Sequence, residues 1–218
     1  MLLAVAACSD ASRPPGPTSA LGSVPLAPSG PGDVPNALVY RAPDLDTRPA
    51  PRCFYIPPAT IDTGPEAVFL DMNDQQKKVV AEVVTDAFRH AIGQHQTISI
   101  TPGPGCATLQ LFLTGVTRTE PGKDFSGSPY SSLMGMSDVS GRNLQASVNG
   151  TITVAGKFVA PNGTVLAGFV SKVGTNAFDI PPNASPKEVA MLAAARLAGD
   201  IAAAVDREVE VQKGHRGG

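Results

Sequence analysis

The sequence has no excess of basic residues, since 17 Lys and Arg stand against 19 Asp and Glu and give a formal net charge of -2. Proteins that bind nucleic acids carry a basic excess or a basic stripe, so we expect no nucleic-acid partner. A long apolar run is also missing. A membrane-spanning helix needs about 18 or more consecutive apolar residues, and no stretch of this sequence reaches that length. Charged residues make up only 17% of the chain, below the roughly 25% of an average soluble protein.

Motifs that carry catalysis or hold metals are missing as well. The histidines are His90, His95 and His215, and none has the spacing to Cys, Glu or another His that a zinc site requires. Segment 135–139 begins like a nucleophile elbow but ends in Val where the motif requires Gly. We therefore expect no enzyme, no cofactor and no metal ion.

The N-terminus begins with a short apolar run that ends in VAAC at Cys8. This resembles a bacterial lipobox, and the resemblance implies that Cys8 carries a diacylglycerol and becomes the acylated N-terminus; the alternative is a chance match. Residues 1–8 are then the remnant of a signal peptide with its lipobox. A signal peptide starts with basic residues but the first one here is Arg13, so we expect the natural start upstream. By similarity to enterobacterial sorting, Ser9 after the lipidated cysteine indicates the outer membrane, with the domain in the periplasm.

Residues 9–52 hold ten of the 21 prolines and few large apolar side chains. This composition predicts a disordered tether between the anchor and a folded domain. An alternative for Ala37 to Leu45, where apolar residues are denser, is an extended arm packed along the domain. The folded domain is predicted over 53–213, with a tail at 214–218.

Two helices are predicted in this domain. Asn73 is placed as the N-cap of the first, which Gly93 ends, and Ser185 and Pro186 open a second that runs to about Gln212. The apolar residues recur at helical spacing: in the first helix these are Val79, Val80, Val83, Val84, Ala87, Phe88 and Ala91, and in the second Val189, Leu192, Ala193, Leu197, Ile201, Ala204, Val205 and Val209.

Five extended segments are predicted around these helices, and a possible sixth at Ala67 to Leu70. Alternation of apolar and polar residues is clearest from Val148 to Phe158, and the turn PNG at 161–163 predicts a hairpin. Because both helices need a sheet face to cover, the fold class is α+β: a two-layer sandwich with a mainly antiparallel sheet of about 4–5 strands under two helices. The segments are Cys53 to Ile56, Thr97 to Thr101, Ala107 to Arg118, Val148 to Phe158 and Thr164 to Val173.

With Cys8 lipidated, Cys53 and Cys106 remain. An oxidising periplasm would join them in a disulfide; the alternative is a pair of unlinked, small apolar side chains. A long polar loop at 119–146 interrupts the strands, and loops of this length are uncommon unless they are functional or disordered. Its apolar residues predict a partner-binding or self-association segment, or else a loop folded onto its own sheet: Phe125, Tyr130, Leu133, Met134 and Met136.

The lipobox, Pro-rich segment, early FYI strand, amphipathic helix, hairpin and Ala-rich last helix together resemble proteobacterial lipoproteins that are grouped as a domain of unknown function. The element order is also similar to the N-terminal domain of the Tol-system periplasmic protein and to the curli-secretion lipoprotein. These resemblances imply a non-catalytic interaction or scaffolding module of the cell envelope, with an envelope protein or a second copy as partner.

Two alternatives remain beside this expectation. The first is a binder of a small ligand or an envelope polymer, in a pocket between the sheet and the long loop. The second is a weak hydrolase or metal enzyme whose groups converge from distant positions, such as Asp71, His95 and Asp138.

Overall fold

Both predicted helices form, and they pack side by side on one face of a single sheet. The computed structural model describes residues 15–16, 18–30, 33–69, 72–118, 150–174 and 186–214. Helix α1 spans Asp74–Gly93 and α2 spans Pro186–Gly214. The Asn73 side chain accepts a hydrogen bond from the Gln76 amide, while the Gln76 side chain accepts one from the Asn73 amide. This is the predicted capping box, which satisfies two backbone donors at the start of α1.

The sheet is larger than predicted and mixed rather than mainly antiparallel, so the α+β class is confirmed but the expectation of 4–5 strands is wrong. Nine strands are described, in the spatial order β1-β2-β9-β8-β7-β3-β6, with β4 and β5 also paired to β7. Their bounds are β1 Ala27–Pro28, β2 Ala37–Arg41, β3 Cys53–Tyr55, β4 Thr60–Ile61, β5 Val68–Phe69, β6 Ile98–Ser99, β7 Cys106–Arg118, β8 Gly150–Val159 and β9 Val165–Gly174.

The parallel part of the sheet arises from one long strand with an interrupted neighbour. Strand β7 has 13 residues, and along one edge it pairs with β8, which is antiparallel to it. Along its other edge it pairs with three short parallel strands, β3, β4 and β5, one after another. Prolines at 57 and 58 break this neighbour after β3, because proline cannot donate a hydrogen bond to a strand ladder. Segment 74–93 then crosses back as α1, which is the usual way to join parallel strands.

The described part of the Pro-rich segment packs against the domain, whereas the sequence predicts a disordered tether there. Strand β2 pairs with β9 along its whole length, so the alternative of an arm packed along the domain applies at Ala37 to Arg41. Leu21 is buried, and with Val24 and Leu26 it covers the sheet face opposite the helices. Residues 18–30 and 33–52 therefore form part of the fold; residues 9–14 lie outside the described residues.

The main core lies between the helices and the sheet. The Phe88 ring of α1 is fully buried and stacks on Phe169 of β9, with the ring centroids 6.0 Å apart. Glycine is required beneath that ring, because a Cβ added at Gly156 would lie 2.5 Å from two Phe169 ring atoms. Leu109, Leu111 and Leu113 of β7 are also fully buried on this face, as their alternate spacing predicts.

Candidate functional site

A cavity of about 410 Å³ opens between the C-terminal half of α2 and the end of the sheet. Its floor crosses five adjacent strands, because β2, β9, β8, β7 and β3 each contribute lining residues there. Small side chains at Ala107, Ala167 and Ala204 leave the space open. The Phe54 and Phe158 rings wall it, edge to face, with centroids 6.1 Å apart. The interior is therefore apolar and bounded by rigid elements.

Polar groups gather at the mouth of this cavity. Arg41, the last residue of β2, reaches Glu208 on α2 with its Nη2 atom 2.6 Å from Oε2, and it also pairs with Asp46. Asp46 lies in the 3-10 turn Leu45–Thr47. One guanidinium thus joins a strand, a turn and a helix, as its planar array of donors allows.

Gln212 lies one helical turn beyond Glu208 and is only 3% exposed. Its Nε2 atom donates a hydrogen bond to the backbone oxygen of Leu45, at 2.9 Å. Its Oε1 atom is buried and has no hydrogen-bond partner among the described residues, and the same holds for Oε1 of Glu208. Both residues line the cavity. A buried polar atom without a partner has a substantial energetic cost, so two such acceptors at one cavity make it the candidate site.

The environment of Glu208 raises the pKa of its carboxyl group. Removal from solvent is the main cause, and the proximity of Asp46 adds to it, while Arg41 opposes it. Because the folded protein keeps a proton on Glu208 at pH values where the unfolded chain has released it, this group makes stability fall as pH rises.

We expect Glu208→Gln to change the pH dependence of stability. Glutamine cannot ionise, so the free energy of unfolding of the variant, relative to the natural chain, should increase from about pH 4, where an unperturbed Glu ionises, towards neutral pH. Urea unfolding at a series of pH values measures this difference. Glu210→Gln is the control, because Glu210 is exposed and pairs with Lys213; a parallel trend in both variants would contradict the assignment to Glu208.

The predicted disulfide is present, which confirms that pairing. Cys53 and Cys106 are direct neighbours in the parallel pair of β3 and β7, with Cα atoms 4.4 Å apart. The next pair in register, Phe54 and Ala107, lines the cavity. The disulfide therefore fixes the strand ends that form one side of the cavity floor.

The other predicted site residues are not brought together by the described structure. His95 is exposed at the end of α1, with Nδ1 4.0 Å from an Asp206 carboxylate oxygen. Positions 71 and 138, which with His95 are the example given for the hydrolase alternative, lie outside the described residues, as does the lipidation residue Cys8. The predicted interaction loop lies outside them too: Phe125, Tyr130, Leu133, Met134 and Met136.

Among the described residues, neither helix is long and apolar enough to cross a membrane. Across the same residues, His, Cys, Asp and Glu form no group of three or more that could hold a metal ion.

The cavity residues were missed by the sequence analysis, although a pattern could have found them. Along α2, the buried positions Ile201 and Val205 continue at helical spacing to Glu208 and Gln212. Polar residues on an apolar stripe are uncommon without a partner. In β2, Arg41 likewise shares the face of Ala37 and Val39, since side chains alternate along a strand.

Comparisons with known proteins place the chain in a family. No curated protein matches it significantly. Two solved structures are similar, both PelC dodecamers from Paraburkholderia phytofirmans, one of them a point variant. Their TM-scores are 0.40 and 0.39 at 8% and 7% identity, and each alignment covers 76% of this chain and 95% of the other. The family model described as "Protein of unknown function (DUF3313)" matches residues 18–204, and the chain therefore belongs to this domain-of-unknown-function family.

Proposed function

We propose that the protein is a non-catalytic, lipid-anchored interaction module of the bacterial cell envelope. Cys8 is the acylated residue, the anchor lies in the outer membrane, and the domain works in the periplasm. The Cys53–Cys106 disulfide is the observation that carries this proposal, because disulfides persist in oxidising compartments such as the periplasm. Acyl chains on Cys8 would give a stable anchor, since each buried CH2 contributes about 0.8 kcal/mol and two or more chains are needed.

Metabolic labelling with a fatty-acid analogue tests the anchor. The chain is expressed in a bacterium with a basic leader segment ahead of Met1, as the natural protein and as Cys8→Ser. Label and outer-membrane location should both be lost in Cys8→Ser. Cys53→Ser is the matched control, and it should keep its label. Equal labelling of the natural chain and Cys8→Ser would overturn the anchor, and purified domain that turns over a substrate would overturn the non-catalytic assignment.

A second candidate function is the binding of a small ligand, and the cavity favours it. The alternative from the sequence placed a pocket between the sheet and the long loop, whereas the described cavity lies between the sheet and α2. Its volume falls within the roughly 300–1,000 Å³ of small-molecule sites, and its apolar walls with a few convergent polar groups are typical of them. A small ligand thus suits this space better than a polymer.

A further inference from the structure

We propose that the cavity between α2 and the sheet binds a small amphipathic molecule with an apolar body and a polar end that donates hydrogen bonds and carries no negative charge. This inference rests on the ligand-binding function proposed above and adds the chemical class of the ligand.

The apolar body follows from the walls of the cavity. Phe54 of β3, Phe158 of β8 and Phe169 of β9 line the cavity with their rings, together with Ile201 and Val205 of α2. Each of these side chains is buried in the core. A ligand that replaces water against these walls gains the free energy of apolar burial, roughly 25 cal/mol per Å². An alkyl chain or a ring provides such surface without polar atoms that the walls would leave unpaired.

The donor at the polar end follows from Gln212. Because Nε2 of this amide is committed to the Leu45 carbonyl, the remaining atom, Oε1, can only accept. It is buried and has no hydrogen-bond partner in the described structure. A hydroxyl or ammonium group on the ligand supplies the missing hydrogen.

The absence of negative charge follows from Glu208, which shares the same helix face because residues four apart lie about 5–6 Å from one another. Arg41 holds Oε2 of this carboxylate, whereas Oε1 is buried and has no partner in the part of the chain that the structure describes. When Glu208 is ionised, a carboxylate or phosphate in the ligand would place acceptor against acceptor there. An ammonium group, which has three donors, can instead satisfy both oxygens and adds a favourable charge interaction, whereas a hydroxyl group, which has one donor, satisfies one of them.

The polar end can be tested by competition with simple probes, since buried water can also satisfy such acceptors. N-phenylnaphthylamine, whose fluorescence rises in apolar sites, is bound to the full chain and displaced by decylamine, decanol or decanoate. These three competitors share one alkyl chain and differ in the head group. We expect decylamine and decanol to displace the probe at concentrations at least about tenfold below that of decanoate, equivalent to about 1.4 kcal/mol. Equal or stronger displacement by decanoate would overturn the proposed head group.

The location is tested with a pair of neighbouring substitutions on α2. Ala204 is half-buried and lines the cavity, whereas Ala203 is exposed and does not. Ala204→Phe should fill the space and weaken probe binding at least about tenfold, while Ala203→Phe should leave it unchanged. Circular dichroism on both variants confirms that they fold. Unchanged binding in folded Ala204→Phe would show that the probe binds elsewhere and would overturn the site.

Glu208→Gln tests the role of the carboxylate. Arg41 would hold the oxygen of the new amide, which turns its NH2 group, a donor, towards the ligand. The preference against decanoate should then fall towards unity, while Glu210→Gln keeps it. If Glu208→Gln still prefers decylamine and decanol over decanoate, the Glu208 carboxylate does not cause this preference.

Failure of this inference is distinguishable from failure of the anchor. If no probe binds while Cys8-dependent labelling persists, the ligand class and the ligand-binding candidate are both wrong and the envelope module stands. If probes bind with the expected preference but labelling does not depend on Cys8, the lipid anchor is wrong, whereas the ligand class and the ligand-binding candidate stand.

Discussion

Replacing Cys53 and Cys106 together with alanine is expected to lower the free energy of unfolding by about 4 kcal/mol. The two residues are 53 positions apart in the sequence, so the disulfide closes a long loop in the unfolded chain. Such a link reduces the conformational freedom of the unfolded state. Because total stabilities of domains are only about 5–15 kcal/mol, this loss is a large part of the whole. Urea unfolding followed by far-UV circular dichroism measures it, since the chain has no tryptophan.

Reduction of the natural chain is the control for this prediction. A reductant should lower its stability to about the level of the double-alanine variant, whose own stability should not respond. Cys8→Ser should behave as the natural chain does, because Cys8 has no part in the link. A natural chain whose unfolding is insensitive to reductant would show that the two sulfurs are not joined.

Loss of the disulfide should also affect the cavity, because Phe54 and Ala107 follow the two cysteines directly in the paired strands. Strands β3 and β7 share only three residue pairs there, and β3 has β6, a strand of two residues, on its other side. Few backbone hydrogen bonds thus hold this side of the floor. The disulfide connects the fold's stability with the shape of its candidate site.

The helices could be predicted because their signals are local. The capping box at Asn73 and the buried residues Val80, Val84 and Phe88 are separated by a few positions of one segment. In α2, by contrast, the prediction that Leu192 belongs to the apolar stripe is wrong, because this side chain is 43% exposed. The buried face of α2 instead includes Ala190 and Ala194. Alanines allow α2 to pack closely on its neighbours, and which face of α2 is buried therefore depends on surfaces formed by other parts of the chain.

The sheet could be predicted only where a strand is long. Ile152, Val154 and Phe158 of β8 are buried as their alternation indicates. Strands of two residues, such as β4 and β5, are too short to show a period of two. Their existence depends on backbone pairing with β7, which is more than 40 positions away for each of them. The same holds for β2, whose partner β9 lies near the other end of the chain.

The candidate site depends on such distant pairings even more strongly. Arg41 and Glu208 are separated by most of the chain, yet their side chains are in contact. Each residue continues the apolar face of its own element, but no local pattern indicates that the two side chains meet. Their proximity follows from the pairing of β2 with β9 and the packing of α2 over β8 and β9.

The core beneath α1 gives the second large prediction: Phe88→Ala should lower the free energy of unfolding by about 3–5 kcal/mol. The Phe88 ring is fully buried and stacks on Phe169, which in turn lies over Gly156. Removing the ring loses its burial and leaves a cavity that this rigid stack cannot close. Urea unfolding of the variant measures the loss.

Leu192→Ala is the matched control, since it also truncates a large apolar side chain on a helix but one that is largely exposed. Its effect should stay within about 0.5 kcal/mol, as for most surface substitutions. Similar losses in both variants would mean that α1 does not dock through Phe88. Because Phe169 is shared by the stack and the cavity wall, Phe88→Ala should also weaken binding of N-phenylnaphthylamine, whereas Leu192→Ala should not.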